Sequence, residues 1–218
     1  AAWAALAAQV RASRADLCVI SSEHLGYGVD AAALVAAFGR LFSDITVLAY
    51  LRDPADLYFS LVQQNLRGGK PLALLRTPAN FHYPQRQAVA QYADAVGPEN
   101  LIVRNFVRDN LCKGDVVADF FARLAPFGKT VRVDPIRAND ALPGAALALL
   151  MLVNETHPPD TRPQSRERLI RRLRKSPAVA GLPAFRPDLP QARALIRARM
   201  AADCDWLNRM FLKGQIPL

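Results

Sequence analysis

Cysteine, histidine and long apolar runs are all scarce in this chain, and each scarcity closes off a class of protein. The three cysteines, Cys18, Cys112 and Cys204, are odd in number and far apart in 218 residues. Neither a disulfide framework nor a zinc spacing can be built from them. Such usage fits a reducing compartment, so the expected location is cytoplasmic. His82 and His157 lie in loops beside prolines and pair with no Cys or carboxylate at a metal-ligand spacing, so no metal site is predicted. The longest apolar run, Ala145 to Val153, is too short to span a bilayer, and no secretory signal opens the chain. An initiator Met is also missing. The chain starts at Ala1-Ala2-Trp3 in what reads as mid-helix, as a fragment of a longer product would.

What is abundant is apolar surface and positive charge. Half of the residues are apolar, enough for one domain with a real core. The formal charge is +9, from 28 Lys+Arg against 19 Asp+Glu, which favours anionic partners such as phosphorylated cofactors or acidic glycans. Arg greatly outnumbers Lys, which suits bidentate oxyanion contacts, although a GC-rich genome gives the same bias.

Periodicity predicts an α/β chain with a parallel sheet and flanking helices, followed by a helical C-terminal part. Trp3 to Ser13 is Ala-rich and helical. Asp16 to Ser21 is a nearly continuous apolar run, as expected of a strand covered on both faces. Asp30 caps a helix from Ala31 to Phe42, and Ile45 to Leu51 is the strongest strand pattern. Pro54 at a first helical position, with Asp53 before it, predicts a helix to Leu66. A looser stretch, Lys70 to Tyr83, leads into an amphipathic helix from Gln85 to Val96. Leu101 to Val107 follows as a strand and Val116 to Leu124 as a helix. Strands alternating with crossover-length helices argue for parallel βαβ units. Residues 143–218 contain no strand pattern and belong to the same single domain.

Ligands of open parallel sheets bind outside the carboxyl ends of the strands. Two places qualify. Arg52 follows the strongest strand at the mouth of the Pro54 helix, where an anion meets a favourable dipole. Ser60, two turns into that helix, leans back toward its start. The plainer alternative pairs Arg52 with Asp53 or Asp56 and lets Ser60 bond back within its own helix. Glu23 and His24 follow the first predicted strand, and either can act as a general base for a hydroxyl. The alternative there is a helix cap or a surface ion pair. Arg166 to Lys175 is a basic helical run. It serves as a solvated face or, alternatively, as a landing strip for an acidic substrate or membrane surface, without membrane integration. It carries no interleaved aromatics, which argues against nucleic acid.

The segment Tyr50-Leu51-Arg52-Asp53-Pro54-Ala55-Asp56-Leu57-Tyr58-Phe59-Ser60 resembles the 3′-phosphate-binding segment of sulfotransferases that use 3′-phosphoadenosine 5′-phosphosulfate (PAPS). That segment is a strand ending in Arg, a nearby Pro opening a helix, and a Ser eight residues after the Arg. Val19 to Leu25 is similar to the strand end that holds the family's catalytic base, with the base position falling on Glu23 and His24 one residue away. Asn100 to Phe106 and Gly114 to Phe121 resemble a later strand and helix of bacterial sulfotransferase-like proteins. The resemblance covers Asp16 to Leu124, about half of the chain. It implies the P-loop NTPase-like sulfotransferase fold, with Arg52 and Ser60 on the nucleotide donor and Glu23, or His24, as base. It further implies sulfuryl transfer from PAPS to a hydroxyl or amine of an acceptor, leaving adenosine 3′,5′-bisphosphate, without a metal. The basic surface favours a carbohydrate or glycolipid acceptor, an anionic or polar saccharide.

Two departures stand out. The family's Gly/Ser/Thr-rich 5′-phosphosulfate loop should precede the first segment and is assigned to sequence upstream of Ala1. Where the cytosolic enzymes carry a Lys near the base, this chain has Ser21. Two other functions therefore stay open: a nucleotide- or sulfated-glycan-binding module without turnover, and a P-loop kinase-like enzyme. An upstream G-x-x-x-x-G-K-[ST] would favour the latter.

Overall fold

The computed structural model describes residues 2–125, 142–156, 163–214 and 216, and His157 lies outside them. The chain is α/β and mostly helical, with a small two-stranded parallel sheet. It divides into two compact units interleaved in sequence. The first holds residues 1–52, 83–135 and 201–218; the second holds 53–82 and 136–200.

In the first unit, β1 (Val47–Leu51) and β2 (Leu101–Asn105) pair in parallel, from Val47 opposite Leu101 to Leu51 opposite Asn105. The Phe106 N–H donates to the Leu51 carbonyl at 2.6 Å and carries the ladder one residue further. Helix α1 (Ala2–Ala12) lies near the chain start. Helix α2 (Ala31–Phe38) begins where Asp30 accepts from the Ala33 N–H at 2.9 Å, and it packs on α4 (Gln85–Val96). Helix α4 also covers both strands. The turn Asn208–Leu212 backs onto β2, where Asn208 exchanges two hydrogen bonds with the Ile216 backbone.

One expectation fails here. Asp16 to Ser21 forms no strand: among the described residues the sheet contains β1 and β2 alone. An apolar run shows only that a segment is able to be buried; a strand also needs a hydrogen-bonding neighbour. Lacking one, Val19 and Ile20 remain 50% and 40% exposed.

A single carboxylate ties the sheet to α5 (Val116–Leu124). Asp119 is fully buried and accepts from Tyr50 Oη at 2.9 Å and from the Arg104 guanidinium at 3.0 and 3.2 Å. It also accepts from the Cys112 N–H at 3.0 Å, and Arg123 stands 3.5 Å away. Tyr50 and Arg104 are register partners across the two strands, so Asp119 bridges the ladder at one rung. Burial pushes this carboxyl up, but bonds from Arg104, Cys112 and Tyr50 more than offset it and hold the group below its ordinary value. Burial, reinforced by Asp119, drives the Tyr50 phenol up in turn.

The second unit is built around α3 (Pro54–Arg67), which packs on α6 (Gly144–Thr156). Leu66, Leu142, Ala146, Leu147, Leu150 and Val179 form its core, covered by Leu169, Ile170 and Leu173 of α7 (Pro163–Lys175). Asp53 caps α3 by accepting from the Asp56 N–H at 2.9 Å. The helix stops at Gly68, and Gly69 takes φ +101° while Lys70 donates back to the Asn65 carbonyl at 3.0 Å, an ending that suits glycine. Short helix α8 (Pro177–Ala180) follows, and the unit boundary falls inside α9 (Pro190–Leu207), between Met200 and Ala201.

Replacing Asp119 with Asn should strip the Arg104 charge of its buried partner and cost about 3–5 kcal/mol. The folded carboxyl titrates below its ordinary 3.8, so its contribution is complete above that value and fades as pH falls through the lower folded value. Urea unfolding of both proteins between neutral and acid pH measures each effect. A loss under about 0.5 kcal/mol, the range of a substitution at an unremarkable surface position, would remove Asp119 from this role.

Candidate functional site

The candidate residues fall in both units. Glu23, His24 and Arg52 belong to the first, Ser60 to the second.

Arg52 immediately follows β1, is half-buried, and has no carboxylate partner among the described residues. Its guanidinium instead lies over the Phe106 ring, 5.6 Å from the centroid. Phe106 is in turn edge-on to Tyr50, the residue that Asp119 anchors. The platform under Arg52 is thus held by the buried carboxylate network.

The carboxylates that the sequence offered as simple partners are engaged elsewhere. Asp53, only 2% exposed, accepts from Arg197 Nε at 3.0 Å. Asp56 accepts from Arg193 Nη1 at 2.6 Å, and Arg193 also stacks on Phe59 at 5.1 Å. The Ser60 hydroxyl, half-buried on α3, makes no hydrogen bond back into its helix. For Arg52 and Ser60 alike, the plainer alternative is therefore not what these side chains do.

Gln85 opens α4 and reaches the end of β1, donating from Nε2 to the Arg52 carbonyl at 3.2 Å. Its Oε1 is buried without a hydrogen-bond partner among the described residues. A buried acceptor left unmet costs about 1–3 kcal/mol, so this atom favours any N–H or O–H that can reach it. An unpartnered acceptor thus belongs to the residue that holds the backbone of an unpartnered cation. Sequence inspection did not single out Gln85; its position at the first turn of α4, straight after Pro84, was the available signal.

Glu23 and His24 lie in an exposed 3-10 turn, Glu23–Gly26, capped by Ser22, which accepts from the His24 N–H at 3.2 Å. The turn is tethered from α4, where Tyr92 Oη donates to the Leu25 carbonyl at 2.9 Å. Beside it Tyr27 meets Tyr83 edge-on at 5.7 Å. Burial pushes the Tyr83 phenol up, and the charges of Tyr27 and Glu23 add to the effect. Glu23 is therefore within electrostatic reach of Tyr83, two residues before Gln85. Since Asp16 to Ser21 is no strand, Glu23 and His24 do not follow a strand end, and their expected place outside the carboxyl end of a strand loses its topological basis. The Tyr83–Gln85 segment relates Glu23 to Arg52: its first residue feels Glu23 and its last holds the Arg52 carbonyl.

His82 is exposed in the second unit, and its carbonyl accepts from Arg76 Nη1 at 2.9 Å. No group of three or more His, Cys, Asp or Glu placed to hold a metal ion occurs among the described residues. None of the helices among them is long and apolar enough to cross a membrane. No family model matches the chain, and neither a curated protein nor a solved structure does.

If Arg52 is kept for a ligand rather than for the fold, its loss should be mild. Arg52→Ala should cost at most about 1 kcal/mol, the size of its cation–π contact. Arg197→Ala, which strands buried Asp53, should cost about 1.5–3 kcal/mol. Paired denaturant titrations compare them, and equal losses would make Arg52 a structural cation.

Proposed function

We propose that this chain is a PAPS-dependent sulfotransferase-like transferase, acting on a hydroxyl or amine of a carbohydrate or glycolipid acceptor. The observation that carries the reading is Arg52: a half-buried guanidinium at the carboxyl end of a parallel strand, without a carboxylate partner among the described residues. A phosphate is the natural counter-ion for such a group, and Arg supplies bidentate contacts to it. The Arg–Pro–Ser pattern around it supports the same assignment, Ser60 being the Ser of that pattern and, as the resemblance implies, a neutral donor to the nucleotide. Gln85 Oε1 supplies an acceptor for a donor group on the nucleotide. The P-loop NTPase-like sulfotransferase fold belongs to this proposal.

In the reaction, PAPS serves as a donor substrate and contributes the activated sulfuryl group. Glu23 takes the proton of the acceptor hydroxyl, with His24 the reserve base, and the acceptor oxygen attacks sulfur in line. The S–O bond to the bridging oxygen breaks, and the electron pair goes to the departing adenosine 3′,5′-bisphosphate. No metal is needed for this chemistry: positioning and charge stabilisation dominate, as in phosphoryl transfer.

A second reading is favoured by the exposure of Glu23 and His24 in a short turn rather than at a buried strand end. On that reading the chain binds a nucleotide or sulfated glycan without turnover.

Calorimetry with adenosine 3′,5′-bisphosphate separates these functions from no nucleotide binding at all. Arg52→Ala should weaken affinity roughly ten- to a hundredfold, about 1.5–3 kcal/mol, and Ser60→Ala less. Unchanged affinity in a folded Arg52→Ala protein would sink the donor site. Glu23→Gln should depress sulfuryl transfer by about a hundredfold while leaving nucleotide binding intact. Full turnover in that variant, with collapse in His24→Ala, would move the base one residue along.

A further inference from the structure

Tyr27 directly follows the turn that carries Glu23, and it is 51% exposed. The glycines on either side keep its surroundings open: a Cβ added to Gly26 or Gly28 would meet no heavy atom within 4 Å. Gly28 takes φ +71°, a left-handed conformation that other residues rarely adopt, so the bend after Tyr27 suits glycine. The Tyr27 ring meets Tyr83 edge-on at 5.7 Å, and Tyr83 stands within electrostatic reach of Glu23. All of these residues belong to the first unit.

The polar ends of this group are not spent on the fold. Tyr50, Tyr58 and Tyr92 each donate to a carboxylate or a carbonyl, at 2.9, 3.0 and 2.9 Å. The hydroxyls of Tyr27 and Tyr83, the other tyrosines of the chain, have no hydrogen-bond partner among the described residues, nor has the Glu23 carboxylate. Burial pushes the Tyr83 phenol up, and the charges of Tyr27 and Glu23 add to this, so Tyr83 keeps its proton beside the carboxylate. The backbone below is nonetheless tied down. Ser22 caps the turn, Tyr92 of α4 holds the Leu25 carbonyl, and α2, which starts just beyond, packs on α4. A single exposed ring is ordinary. Two phenols with unspent hydroxyls beside an unpaired carboxylate, on a fixed backbone, have the makeup of a ligand site.

We propose that Tyr27, Tyr83 and Glu23 form a subsite for a neutral pyranose ring, which lays its C–H face on Tyr27 and directs hydroxyls to Glu23 and the phenols. A pyranose combines an apolar face with hydroxyls that both donate and accept. Tyrosine offers a flat apolar body with a polar tip, and an ionised carboxylate accepts from more than one hydroxyl. A purely apolar ligand would leave Glu23 unanswered, and an anionic one would be repelled by it. An organic cation gains little from a ring and a carboxylate that stay in water. In the proposed transfer this subsite puts an acceptor hydroxyl on the Glu23 carboxylate, as a general base requires. That role rests on the transfer reading; binding of the ring does not.

Saturation-transfer NMR on the full chain, titrated with the methyl β-glycosides of glucose, galactose and N-acetylglucosamine, tests the subsite. At least one glycoside should bind with Kd in about the millimolar range. Tyr27→Ala should weaken it about tenfold or more. Tyr27→Phe, which keeps the ring, should cost about threefold or less, and Glu23→Gln about three- to tenfold. If Tyr27→Ala loses its helical circular dichroism, Tyr27→Leu replaces it, with the same loss expected. Wild-type protein that binds none of the glycosides overturns the proposal, as does unchanged affinity in a folded Tyr27→Ala or Tyr27→Leu protein. Tighter binding of choline than of any glycoside also overturns it, in favour of a cation site. Arg52→Ala should bind the glycosides as the wild type does, and Tyr27→Ala should bind adenosine 3′,5′-bisphosphate as the wild type does. Failure of the nucleotide site and failure of this subsite are therefore read separately.

Discussion

In the first unit everything near the end of β1 depends on how one buried carboxylate is satisfied. Two strands make a weak sheet, and a pair of short ribbons is marginal without further packing. Asp119 supplies the missing constraint by accepting from one residue of each strand at the same rung, and from the backbone before α5. Its charge is affordable in the interior only because Arg104 and Arg123 stand beside it. With Tyr50 fixed, the ring of Phe106 has an edge to rest against, and Arg52 has a face to lie over.

The second unit uses the opposite charge for a similar end. Arg166 and Asn154 collect the carbonyls that α3 leaves open at its C-terminus, where a helix has acceptors without donors. At the other end of α3, Asp53 both caps the helix and holds Arg197. Carboxylates are the limiting resource in a chain of net charge +9, and those nearest the β1–α3 connection are committed to this work. Arg52 is left without a carboxylate partner among the described residues. Its position is where the proposed transfer puts a nucleotide phosphate.

Local sequence determined most of the elements. Helices α4 and α5 span the residues that their periodicity marks, and Asp30, Asp53 and Asp115 cap helices as their side-chain chemistry dictates. These features depend on contacts within one turn, so a short window contains their causes. The parallel pairing of β1 and β2 was legible as well, because a helix-containing crossover between strands leaves little other choice. Tertiary structure decided the rest. Whether Asp16 to Ser21 becomes a strand turns on a neighbour that its own residues do not specify. Whether Arg52 is neutralised by Asp53 turns on Arg197, 144 residues further along. Arg166 and Arg171 look alike in one basic run, yet one is an internal brace and the other a surface charge. Asp119 carries no mark in sequence and Gln85 only its place after Pro84, since each matters through partners that only the folded chain brings within hydrogen-bonding distance.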